Sequence, residues 1–184
     1  LMLSSNKANH NADGSGIYIF FSSNNKILGN IATDNSANGV NLYSLSSSII
    51  DGNNFTGNSA DGIYISSSSN NKLSNNAATY NGAHGIHLYS SNVNTISDNI
   101  ADHNTGDGIY TSTSTSNIVS RNTATDNNYG IHLYLSSGNT FSDNIANGNH
   151  NTGIYVHSSS NNTIYLNEFM NNVQNGNSDS SGNR

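Results

Sequence analysis

The side chains able to do chemistry in this chain are seven histidines, eleven carboxylates and a set of aromatic rings led by ten tyrosines, with no cysteine. Their spacing decides what they can do. Rings and histidines recur two residues after a repeated glycine, at Tyr18, Tyr64, His87, Tyr110, His132 and Tyr155, and again two residues further on, at Phe20, Tyr43, Tyr89 and Tyr134. In extended backbone both positions point the same way, so together they make one exposed face of rings. Such a face can stack on sugar rings or lie against a partner. The plainer alternative is that Tyr and His are good strand residues that support one another.

The carboxylates offer less. Glycoside hydrolysis needs two carboxyl groups held at a set separation across a bond. Asp61 and Asp107 share the position before the glycine, and Asp98 and Asp143 share another column. Each pair lies two repeats apart, about 9.6 Å at the usual strand spacing, which is the long limit for an inverting pair. None sits on the ring face with a partner, so these and Asp13, Asp34, Asp51, Asp102, Asp126, Asp179 and Glu168 read as solvated turn carboxylates. No catalytic residue is assigned. Lyase chemistry on a uronate would want clustered cations, whereas Lys7, Lys26, Lys72, Arg121 and Arg184 are scattered. His87 and His132 are also two repeats apart, too far to share an ion, and Met2 and Met170 stand at opposite ends. The expectation is therefore no metal, no cofactor, and neutral surface histidines. With five Lys and Arg against eleven acids the net charge is -6, which argues against nucleic acid or an anionic membrane as partner. No stretch approaches the roughly 20 apolar residues of a membrane-spanning helix.

What must position these groups is a repeat. Only 33% of residues are hydrophobic, well below the usual share of about 45 to 50% in a compact globule. The glycines fall at Gly16, Gly39, Gly62, Gly85, Gly108, Gly130 and Gly153, a period of 23 broken once by 22. Asparagine keeps the same step at Asn30, Asn53, Asn76, Asn99, Asn122, Asn144 and Asn167. A second column runs from Asn35 to Asn172, and a third from Asn25 to Asn162 with Ser48 substituting. Such periods mean a solenoid, in which each unit buries its apolar face only by stacking on its neighbours. Asn, Ser, Gly and Thr are poor helix residues, and Gly-Ile-Tyr-Ile alternates at period two, so the unit is a β-coil rather than a helical hairpin or a leucine-rich repeat. Two further apolar columns start at Ile27 and Ala32. The prediction is an all-β parallel β-helix of about seven coils, three short strands per coil of 22–23 residues, over residues 1–174, with a polar tail at 175–184. Asparagines suit its corners because they tolerate left-handed backbone and can bond to the Asn one coil away.

Repeats such as GIYISSSSNNKLSNNAAT and GIHLYSSNVNTISDNIADHN resemble the NosD-like repeats of the pectate-lyase-like superfamily. The resemblance covers almost the whole chain and implies a right-handed helix with three sheets. That superfamily spans polysaccharide lyases, hydrolases, epimerases and non-catalytic surface proteins, and fold does not confer chemistry. The leading expectation is a non-catalytic extracellular or cell-surface scaffold, joined through uncapped ends to further coils or to other copies of itself. The alternatives are a carbohydrate-binding module, with polysaccharide on the Tyr and His face, and a polysaccharide-cleaving enzyme. No export signal is visible in the sequence.

Overall fold

A computed structural model describes residues 1–178 and 182–184. Strands alternate between two parallel eight-stranded sheets. One sheet starts at Met2–Ser4 and Lys26–Leu28 and ends at Thr163–Tyr165; its strands are three residues long. The other carries the rings, and runs from Ile17–Ser23 through Val40–Ser46, Ile63–Ser66, Ile86–Tyr89, Ile109–Ser112 and Ile131–Tyr134 to Thr152–His157 and Gln174–Ser178. The third side pairs by a single bridge per coil, through Lys7, Ile31, Asn54, Ala77, Ile100, Thr123, Ile145 and Glu168. All pairing is between neighbouring coils, as the 23-residue step requires.

The core is one stack of like on like. Ile63, Ile86, Ile109 and Ile131 line up from the ring-bearing sheet, and Ile50, Leu73, Ile96 and Val119 from the short-strand sheet, all fully buried. The third column is mostly alanine, and the repeated glycines pack against its Cβ atoms. A Cβ built at Gly85 would come within 2.8 Å of the Ala101 Cβ and of the Asn104 amide and within 2.7 Å of the Gly108 carbonyl, and the same trio of contacts recurs at Gly62 and Gly108. The glycine column is therefore a close approach of backbone to wall, which any side chain would force apart.

The corners turn through left-handed backbone and close with side-chain ladders. Asn76 donates its backbone N–H and its amide to Asn99 Oδ1 at 3.0 and 2.9 Å, and Asn99 does the same to Asn122. The second and third asparagine columns repeat the pattern. A fourth ladder, which the sequence reading did not single out, runs Ser68, Ser91, Ser114, Ser136 and Ser159, each N–H donating to the next hydroxyl. These bonds satisfy buried backbone N–H groups that strand pairing leaves over at the bends. The segment 175–184, set apart above as a tail, contributes most of the strand Gln174–Ser178, and Asn183 takes the next place in the third ladder, accepting from Asn162. Residues 179–181 of that tail, Asp179 among them, lie outside the described residues.

Candidate functional site

The pairing register puts Tyr64, His87, Tyr110, His132 and Tyr155 in one line across the ring-bearing sheet. Side chains one coil apart are about 4.8 Å apart, and the rings meet at that spacing: centroids are 5.0, 4.8, 4.9 and 5.0 Å apart from Tyr64 down to Tyr155. Tyr64 meets His87 edge-on, the next two pairs are tilted and His132 stacks on Tyr155, so the rings shield one another and are half-buried. The line does not reach Tyr18, because Asn41 interrupts it. Tyr18 instead joins Phe20, Phe21 and Tyr43 in a separate patch of exposed rings near the first coil. Two residues on from the line, Tyr43, Tyr89 and Tyr134 alternate with buried Ser66 and Ser112. Tyr89 is exposed, while Tyr134 is half-buried with its ring edge-on to His157.

Beneath the line lies a polar network that changes the reading of the acids. Asp61 and Asp107 are 7% and 4% exposed, so they are buried partners and not solvated turn residues. His87 Nδ1 is 3.2 Å from Asp61 Oδ2, and His132 Nδ1 is 2.9 Å from Asp107 Oδ2. In each pair the acid sits one coil before the histidine and just ahead of its own glycine. Asp61 Oδ1 also accepts the His84 N–H at 2.8 Å, and His84 Nδ1 accepts the Asp107 N–H at 2.9 Å. His84 and Tyr129 flank the line, His84 against His87 and Tyr110, Tyr129 against His132 and Tyr155. The sequence reading missed both, and it took all seven histidines as surface groups. A signal was present: the residue before the glycine alternates Asp61, His84, Asp107, Tyr129 in step with Tyr64, His87, Tyr110, His132. A carboxylate in one coil is thus matched with an imidazole in the next.

Burial holds the His84 imidazole below its ordinary value, against the opposing pull of Asp107 and Asp61. Burial likewise raises the Tyr110 and Tyr129 phenols. An Asp–His pair of this geometry orients an imidazole as a base orienter does, with Nδ1 held and Nε2 left over. Here the Nε2 atoms of His87 and His132 are themselves buried and without a hydrogen-bond partner. Groups lying on the surface of the face do not reach them. Three other acids serve the rod: Asp98 takes Arg121 in a two-point contact at 2.8 Å, Asp51 accepts from Ser74 and Asn75, and Asp102 accepts the Thr125 N–H.

Comparison with known proteins follows the fold. Residues 2–118 match the family described as right handed beta helix region, and residues 81–184 match the family described as periplasmic copper-binding protein (NosD). No curated protein sequence matches. Among solved structures, the mannuronan C-5 epimerase AlgE4 A-module of Azotobacter vinelandii superposes with a TM-score of 0.79 at 16% identity, over 100% of this chain and 57% of that one. The periplasmic alginate epimerase AlgG gives 0.75 at 21% identity, over 88% of this chain and 47% of its own. A DFA-IIIase of Arthrobacter chlorophenolicus without its lid gives 0.71 at 13%, over 88% and 47%. At these identities the likeness is one of fold, and the chain spans about half the length of the structures it matches.

Copper, which the NosD description implies, finds no ready site here. Among the described residues one trio, Asp61, His84 and His87, brings potential ligand atoms within 4.8 Å of one another. Yet the His84 Nδ1 lone pair already accepts the Asp107 N–H, and both Asp61 oxygens are engaged by His84 and His87. With Nδ1 accepting, His84 Nε2 carries the proton and has no lone pair to offer. Soft sulfur ligands are missing as well, since cysteine is absent and the two methionines are Met2 and Met170. The trio does not fit a copper centre.

Proposed function

This chain belongs to the right-handed β-helix family and to the NosD family, and from that premise we propose that it is an extracytoplasmic polysaccharide-binding rod. The polymer lies along the ring-bearing sheet. The observation that carries the reading is the register itself: each of seven strands of one sheet carries a ring or histidine at one or both of two outward positions at fixed spacing, broken only by Asn41, Ser66 and Ser112, on backbone too rigid to withdraw them. Exposed rings at Tyr18, Phe20, Tyr43 and Tyr89 give apolar surfaces for the C–H faces of sugars. The half-buried line of Tyr64, His87, Tyr110, His132 and Tyr155 forms the floor between them. The solved structures with this fold include enzymes named for mannuronan, alginate and DFA-III, and the NosD and AlgG descriptions are both periplasmic.

The bound glycan is neutral. No Lys or Arg lies on the strands of the ring-bearing sheet, and Asp61 and Asp107 lie beneath it. A polymer of uronates would meet negative charge with no cation to offset it. Binding rather than turnover is favoured because the Asp-oriented Nε2 atoms of His87 and His132 are buried and without a hydrogen-bond partner among the described residues. Affinity electrophoresis of the chain through gels containing neutral polysaccharides, with alginate as the uronate control, tests this. Retardation by a neutral polymer, lost on replacing Tyr43 and Tyr89 by Ala, is the expected outcome. Unchanged mobility in every gel, or retardation by alginate alone, refutes it.

A further inference from the structure

Round the corner from His84 the rod has an open groove of about 550 Å³, lined by Tyr80, His103, Asn104, Thr105, Asp126 and His150. None of the ring-face residues lines it. Its wall is a corner column in left-handed backbone, with φ of 57° at Tyr80, 57° at His103 and 55° at Asp126. The same corner elsewhere holds His10, Asp34, Gly57, Gly148 and Asn171, of which Asp, Asn and Gly take this conformation readily. An aromatic ring there costs of order 1 kcal/mol of backbone strain, and Tyr80 is 61% exposed, so burial offsets little of it.

The wall has the chemistry of a sugar site. Tyr80 and His103 stack at 4.8 Å with planes 25° apart. On the far side of Tyr80 the column continues with Gly57, which has no side chain to cover the ring. His103 Nε2 and Asp126 Oδ2 stand 3.5 Å apart, both about half-exposed, as a donor and an acceptor at the groove. The Thr105 hydroxyl and the exposed His150 complete it. We propose that this groove is a second glycan site that seats a single neutral hexosyl residue, its C–H face on Tyr80 and neighbouring hydroxyls on Asp126 and His103. Asp126, with no Lys or Arg in the lining, turns away uronates. A metal is disfavoured, because His150 does not join His103 and Asp126 in any three-ligand group among the described residues.

The site stands independently of the ring face, and one experiment separates the two. Amide NMR spectra of the labelled chain are recorded with methyl glucoside, methyl galactoside and methyl mannoside, and with glucuronate. The expected result is shifts at Tyr80, His103, Thr105, Asp126 and His150 with at least one neutral glycoside, with Tyr64, His87 and Tyr110 unmoved. Tyr80→Asn, a residue the left-handed corner accepts, abolishes the shifts while leaving the rest of the spectrum folded, and Asp126→Asn weakens them several-fold. No shift at these amides with any neutral glycoside, shifts that survive Tyr80→Asn, or stronger shifts with glucuronate overturn the proposal. Shifts confined to the ring face would support that face and remove the groove.

Discussion

Replacing Asn99 by Ala in the middle of the rod should be among the most damaging single changes the chain can suffer. Asn99 Oδ1 accepts the buried Asn76 N–H at 3.0 Å and the Asn76 amide at 2.9 Å. Its own amide donates to Leu73 O, Ser97 O and Asn122 Oδ1 at 3.1, 3.0 and 2.9 Å. Alanine removes all five contacts. The Asn76 N–H is left buried without an acceptor, at about 1–3 kcal/mol, and the four other bonds contribute a further net amount of order 2 kcal/mol because part of each is recovered by its remaining partners. The expected loss is about 4 kcal/mol. Lys72→Ala, exposed on the outside of the adjacent strand, should stay within about 0.5 kcal/mol. Urea denaturation followed by circular dichroism reads the difference, and hydrogen exchange at the Asn76 amide locates it. A loss below about 1 kcal/mol, or an unprotected Asn76 amide in the parent chain, would refute the view that ladders hold the corners.

Acid should weaken the rod first at His84. Its pKa is lowered by burial, so the unfolded chain binds the proton more tightly; the stabilising contribution is present above the unfolded value of 6.5 and is lost as pH falls through the folded one. The groups facing it are Asp107, Asp61, His87 and His132. His84→Asn should flatten the stability profile below that pH and spare stability at neutral pH, because Asn38 already accepts the Asp61 N–H in the same column; an unchanged profile contradicts this. Asp102 works in the opposite sense: burial raises its pKa, so its ionisation costs stability as pH rises through the folded value, and Asp102→Asn should raise the neutral-pH melting temperature. Gly108→Ala should fail to give a soluble folded chain, since its Cβ meets Asn127, Gly130 and Ala124 at 2.7–2.8 Å, whereas Gly138→Ala, in open space with φ of 69°, should cost only about 1 kcal/mol.

The rod was legible because its signals repeat. Seven glycines and three asparagine columns in step left little choice of unit, and the side chains that read as inward are those with no exposed surface, from Ile63 to Ile131. What the glycine does was less plain: its spacing marks the coil, but only the packed structure shows the alanine wall and the neighbouring carbonyl that exclude a side chain. The site was half legible. Tyr64, His87 and Tyr110 stand outward and in line, as two-residue periodicity requires. Their rings pack on one another because 4.8 Å is both a strand spacing and a ring-contact distance, so the exposed rings are Tyr43, Tyr89 and the Tyr18 patch. Asp61 and Asp107 looked like turn aspartates since a residue before glycine is usually solvated. The pairing that buries them, to a histidine in the next coil, is 25 or 26 residues away in sequence. Tyr80, His103 and Asp126 fall on a corner column whose other members are His10, Asp34, Gly57, Gly148 and Asn171, and no periodicity of apolar residues points to it.

The central claim is that the ring-bearing sheet holds a neutral polysaccharide, and affinity electrophoresis tests it most directly. A neutral polymer in the gel should retard migration, alginate should leave it unchanged, and the Tyr43→Ala, Tyr89→Ala double variant should lose the retardation with its circular dichroism intact. Free migration through every neutral polymer, or retention that the double variant keeps in full, would contradict it.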